Sequence, residues 1–171
     1  MEKLKKKISA LVVRISLFTL ILAVPQKSFA YDEMSKAFGD FIEALYNSTQ
    51  TTNRENLICL YGSDDVASYL VFKEKIKVIK EDDQLTVKSI ANCRVIYVAK
   101  SRERFVKSFV GAFNQSGAIN VATFESFVDN GGMIFIDLGR RDFELTVNAK
   151  AFKASGAKLD SAIAALIINN K

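Results

Sequence analysis

The chain of 171 residues contains no histidine and no tryptophan, one proline and two cysteines. Without histidine there is no Ser-His-Asp or Cys-His catalysis, no imidazole acid–base chemistry and no His-ligated zinc. Two cysteines are too few for a Cys-rich zinc site. Cys59 and Cys93 are also too far apart for a C-x-x-C redox motif, so disulfide exchange catalysis has no support. The single proline is Pro25, which leaves everything after it free of proline. What is abundant is apolar residues, 49% of the chain, enough to fill the core of one ordinary domain.

The charge is unevenly spread. Lys+Arg number 24 and Asp+Glu 19, for a net charge of +5. Lys3, Lys5, Lys6, Lys7, Arg14 and Lys27 oppose Glu2 alone within residues 1–30. Taking 6 from 24 and 1 from 19 leaves 18 of each sign from Tyr31 onward. The basic isoelectric point belongs to the leader, and no nucleic-acid partner is expected.

That leader reads as an export signal. Met1–Lys7 is a basic n-region, Ile15–Val24 an apolar h-region, and Ser28-Phe29-Ala30 places small residues for cleavage before Tyr31. The apolar run falls short of the roughly 20 residues a membrane span needs. Residue 31 is not cysteine, so no lipoprotein signal is present, and Ala162–Ile168 is too short to cross a bilayer. The expectation is a cleaved signal peptide, 1–30, and a single exported domain, 31–171. In an oxidising compartment two cysteines most simply form one disulfide, Cys59–Cys93, with a pair of buried thiols as the alternative.

The order of elements points to an α/β fold. Met34, Phe38, Phe41, Ile42 and Leu45 recur at helical spacing over 34–46, with Asp32 as a candidate cap. A loop is expected at Asn47–Asn56. Leu57–Tyr61 is a continuous apolar run stopped by Gly62, the pattern of a strand buried on both faces. Ser63 or Asp64 can cap a helix that puts Val66, Tyr69 and Leu70 on one side. Ile76–Ile79, Leu85–Val87, Cys93–Ala99 and Ile119–Ala122 read as further strands. Ser101 is expected to cap a helix over Arg102–Phe113 whose apolar face is Phe105, Val106, Phe109, Val110 and Phe113. A short helix is expected at Thr123–Val128. Met133–Leu138 and Phe143–Asn148 flank Gly139-Arg140-Arg141-Asp142, a hairpin signal. Helices at Ala149–Ala154 and Leu159–Ile168 follow, with Gly156 as a C-cap between them. The expected architecture is a three-layer αβα sandwich on a mixed, mostly parallel sheet with a late antiparallel hairpin. The runs at 57–61, 93–98 and 133–138 are expected to be neighbours in it.

Chemistry-bearing motifs are scarce. Asp64-Asp65 and Glu81-Asp82-Asp83 lack the spacing of a calcium loop and read as caps and solvated turns. Lys100, Arg102, Arg104 and Lys107 read as a wet helix face, with an electrostatic patch for an acidic partner or the membrane surface as the alternative. Gly131-Gly132 opens a strand rather than a helix, so it is no phosphate loop. Asn47-Ser48-Thr49 and Asn114-Gln115-Ser116 match a glycosylation sequon only by a short pattern. No nucleophile stands beside a base, and no catalytic, metal or cofactor residue is expected.

The succession of motifs resembles the YfiR family of bacterial periplasmic proteins. It is carried by Leu57-Ile58-Cys59-Leu60-Tyr61-Gly62, by Cys93-Arg94-Val95-Ile96-Tyr97-Val98, by Ile119 through Phe124 and Phe127 to Gly131-Gly132-Met133-Ile134, and by Phe143–Asn148 with Ala151–Leu166. The resemblance implies a repressor that binds the periplasmic portion of an inner-membrane diguanylate cyclase. It further implies relief by an OmpA-like outer-membrane protein, with cyclic di-GMP and biofilm behaviour as the output. A second copy of the chain, as a homodimer, is a further candidate partner. Arg94 stands where the family often has an imidazole, and no later cysteine pair exists here. The competing class is a small-ligand-binding periplasmic protein with a pocket at the carboxyl ends of the parallel strands.

Overall fold

The computed structural model describes residues 27–49, 57–71, 73–80, 85–138 and 143–158. Backbone contacts divide the chain into Met1–Glu33 and Met34–Lys171, and the second unit holds the sheet and both cores. The elements are α1 (Lys27–Ser48), β1 (Leu57–Tyr61), α2 (Asp65–Leu70), β2 (Ile76–Ile79), β3 (Cys93–Val98), a 3-10 helix (Lys100–Phe105), α3 (Val106–Ser116), β4 (Ile119–Ala122), α4 (Ser126–Asp129), β5 (Ile134–Leu138), β6 (Phe143–Val147) and α5 (Ala149–Ser155). The six strands lie in the order β2-β1-β3-β4-β5-β6. All neighbours are parallel except β5 and β6, the antiparallel hairpin expected late in the chain.

The central strands are buried on both sides because each is a continuous apolar run, and each side feeds a separate core. Ile58, Leu60, Val95, Tyr97, Ile119 and Val121 pack with Phe38, Ile42 and Leu45 of α1 and Val66 and Leu70 of α2. Cys59, Tyr61, Ile96, Val98 and Ala122 pack with Val106, Phe109 and Phe113 of α3 and Phe127 of α4. These are the three layers.

Several local expectations give way to specific contacts. Residues 57–61 and 93–98 are adjacent strands, but β4 lies between β3 and β5, so the third run is one place removed. Leu85–Val87 is not a strand. The Thr86 N–H donates to Ser89 Oγ (3.0 Å) and the Ser89 N–H to Thr86 Oγ1 (3.2 Å), a reciprocal pairing that closes a turn in place of a ladder. Asp32 lies inside α1 rather than at its start, since no glycine or proline interrupts Lys27–Met34. That helix also runs on to Ser48, into the stretch expected as loop. The short helix expected at Thr123–Val128 lies at Ser126–Asp129, starting three residues later and ending one residue later. Gly156 closes α5 with φ +68°. The leader, the Gly139–Asp142 turn and the helix expected at Leu159–Ile168 lie outside the described residues, apart from the first residues of α1.

Two devices fix the geometry of the second face. The first is the turn before β5. Asn120, fully buried, donates from Nδ2 to Asn114 Oδ1 (3.0 Å) and accepts the Met133 N–H (2.8 Å). Asn114 donates in turn to the Gly131 carbonyl (2.8 Å), so β4, α3 and the turn are locked together. A Cβ on Gly132 would stand 2.4 Å from the Phe127 ring, which explains the glycine.

The second device is a bulge. Leu57 pairs with Cys93 but Ile58 pairs with Val95, leaving Arg94 as an extra residue on β3. Counting back from Ile96 by strict alternation would turn Cys93 away from the side on which Cys59 lies. The extra residue reverses that parity. Cys93 and Ile96 share the second core, while Val95 and Tyr97 belong to the first.

Candidate functional site

Cys59 and Cys93 are joined by a disulfide, with Cα atoms 5.6 Å apart and both side chains fully buried. The pair is inaccessible to solvent and sits beneath α3, which suits a structural crosslink between β1 and β3. Arg94, the bulged residue, donates from Nη1 to the Tyr46 carbonyl (3.2 Å) in the last turn of α1. Its guanidinium lies 4.9 Å from the Tyr46 ring centroid. The bulge that aims Cys93 at Cys59 is thereby tied to the helix on the opposite face.

The sheet changes winding direction between β1 and β3, and their carboxyl ends form the crevice in which ligands of open α/β sheets usually bind. Here that crevice is filled by hydrogen bonds. Asp64 caps α2 by accepting the Ala67 N–H on Oδ1 (2.8 Å). Its Oδ2 accepts the Tyr97 hydroxyl (2.7 Å) and the Lys100 N–H (2.9 Å). The Tyr97 hydroxyl also lies 3.3 Å from Thr123 Oγ1 after β4. One carboxylate therefore joins the ends of β1 and β3. A cavity of about 90 Å³ lies instead at the amino ends of β1 and β2, lined by residues that include Glu43, Tyr46, Ile58 and Lys75. That is small beside the roughly 300–1,000 Å³ of sites for small-molecule ligands.

The basic cluster read from the sequence is split up. Arg102 is 8% exposed and stacks on Tyr61, 4.9 Å from the ring centroid, while Tyr61 meets Phe109 edge-on at 5.0 Å. Lys100 pairs with Glu103 at 3.0 Å, and Ser126 donates to Glu103 Oε1 (2.9 Å). The hydrogen bond from Lys100, aided by that from Ser126, holds the Glu103 carboxyl below the usual carboxylate range despite some burial. Arg104 and Lys107 remain exposed.

Ser101 does not cap a helix over Arg102–Phe113. Its hydroxyl accepts the Ser63 N–H (2.9 Å), and the segment begins with a 3-10 turn after Ala99. Phe105 is 53% exposed rather than part of the apolar face, whereas Val106, Phe109, Val110 and Phe113 are buried. Gly62 permits this junction, with φ +94° and no room for a Cβ, which would fall 2.6 Å from Arg102 Cγ. The sequence marked Asp64 as a cap only. Its contacts with Tyr97 and Lys100, 33 and 36 residues away, carry no local signal. Among the described residues no group of three or more acidic or cysteine side chains could hold a metal ion.

A family model described as "DUF4154: YfiR/HmsC-like" matches residues 36–166. No curated protein matches. Among solved structures, a conserved domain protein from Vibrio cholerae O1 biovar eltor is similar in fold, with a TM-score of 0.54 and 14% sequence identity. The likeness covers 77% of this chain and 58% of the other, so this chain spans little more than half the length of that relative. The match to the family model extends from α1 past α5, across the whole sheet and both cores, and the chain belongs to the YfiR/HmsC-like family, which is periplasmic and regulatory rather than catalytic.

Proposed function

We propose that the protein is exported by cleavage before Tyr31 and represses an inner-membrane diguanylate cyclase by binding its periplasmic portion, with release by an OmpA-like outer-membrane protein. The observation that carries this reading is the family match over 36–166. Two features support it. The Cys59–Cys93 disulfide suits an oxidising compartment. Asp64, Tyr97 and Lys100 close the crevice between β1 and β3 with hydrogen bonds, which favours recognition at the molecular surface over ligand binding there.

The test is deletion of the gene followed by measurement of cyclic di-GMP, with restoration by the intact gene. Cyclic di-GMP rises on deletion and falls on restoration. An unchanged level in the deletion strain overturns the reading. N-terminal sequencing of the periplasmic protein checks the export step, with Tyr31 as the expected first residue. Intact Met1 in the membrane fraction would refute cleavage.

A further inference from the structure

We infer that Phe105, Arg104 and Lys107 form the surface that docks an acidic protein partner, an inference that rests on the regulatory reading above. Helical periodicity puts Phe105 on the buried side, yet the residue is 53% exposed. It is the one aromatic among the exposed large apolar side chains of the described residues, the others being Val71, Val78 and Val87.

Its outward position is held from both sides. Upstream, the Lys100 N–H is bound by Asp64 (2.9 Å), Ser101 is bound by the Ser63 N–H (2.9 Å), and Arg102 is packed on Tyr61. Downstream, Val106 is buried in the second core. A ring presented by a fixed backbone loses little conformational freedom on docking, which favours an anchor role.

The charges that flank the ring in sequence and stand outside the ion pairs are of one sign. Arg104 and Lys107 flank it, both exposed, and neither has an ion-pair partner among the described residues. The nearby acid, Glu103, is already engaged by Lys100 and Ser126. The exposed side of α3 continues with Ser108, Gly111 and Gln115, all uncharged. A Cβ added to Gly111 would meet nothing within 4 Å, so this ledge is open. From Tyr31 onward the two signs balance at 18 each, which makes the patch a local excess on a neutral molecule. Its complement is an acidic protein surface with an apolar recess for one ring. An anionic bilayer fits less well, because two cations supply only about 1 kcal/mol each at a lipid surface and one half-exposed ring inserts little area.

The test uses the protein purified from the periplasm and the purified periplasmic portion of the membrane diguanylate cyclase from the same organism. Phe105→Ser and the pair Arg104→Glu with Lys107→Glu each weaken binding by at least about tenfold. Val78→Ser, on edge strand β2, binds like the wild type, and all variants melt at the wild-type temperature. Added salt weakens the wild type more than the charge-reversed variant. Wild-type affinity in the Phe105 and charge variants overturns this surface while the regulatory reading stands. Failure of the wild-type chain to bind also overturns it, and an unchanged cyclic di-GMP level on gene deletion removes the regulatory reading as well. Loss of binding only to phosphatidylglycerol vesicles replaces the protein partner with a lipid surface.

Discussion

Two segments of this chain carry nearly the same helical code and fold differently. In α1, Phe38, Ile42 and Leu45 recur at three and four residues, and all three are buried as that spacing dictates. Over 102–113 the apolar residues are at least as regular, yet the first turn is 3-10 and Phe105 faces out. What separates them is the company of their first residues. The 100–105 segment follows directly on β3, where Asp64 takes the Lys100 N–H and Arg102 fits against Tyr61. Those contacts fix the backbone before periodicity can act. A hydrophobic pattern decides a helix where nothing polar competes for its first turn.

The comparison can be broken most severely at α1. Phe38 is fully buried and meets Tyr97 edge-on at 5.5 Å, so Phe38→Ala should cost about 3–5 kcal/mol in denaturant melts. The second face should be weakened by loss of its crosslink. Cys93→Ser, or reduction, should cost on the order of 2–5 kcal/mol. Deleting Arg94 tests the bulge itself: Cys93 should turn from Cys59, and thiol titration under denaturing conditions should then find two free thiols. An intact disulfide in that variant would refute the parity argument.

Asp64→Ala sharpens the comparison at the 3-10 turn. It removes a helix cap and acceptors for Tyr97 and Lys100, an expected loss of about 1–3 kcal/mol. Amide exchange should quicken at Lys100 while α1 is unaffected. The smallest effect concerns Glu103. Because its folded carboxyl titrates below its unfolded value, its contribution is present above the ordinary carboxylate range and fades as pH falls through the lowered value. Glu103→Gln should therefore lower stability slightly at neutral pH, converge with the wild type in acid and so flatten the acid side of a stability–pH curve. Equal acid sensitivity in wild type and variant would remove Glu103 from the account.

The strands were legible because Leu57–Tyr61, Cys93–Val98 and Ile134–Leu138 are apolar runs interrupted by little else. Leu85–Val87 is also mostly apolar, but its middle residue, Thr86, is held by contacts with Ser89 that only side-chain geometry reveals. Cys59 and Cys93 could be named from composition. The bulge that lets them meet could not, since Arg94 reads locally as an ordinary strand residue. Arg102 was visible as a charge and invisible as a core residue, because its burial depends on Tyr61, at the end of β1. The basic patch was legible in part: Arg104 and Lys107 stay at the surface, and Arg102 leaves it.

The disulfide also bears on how the molecule would yield to force. It spans a 34-residue separation that contains α2 and β2, so these elements lie inside a closed covalent loop. Tension applied at the two ends of the chain would pass through the sulfur bridge and bypass them. Fully drawn out, the oxidised chain should fall short of the reduced one by about 110–120 Å, the reach of that loop at about 3.3–3.6 Å per residue. Under such tension α2 and the edge strand β2, inside the loop, would carry no load along the chain.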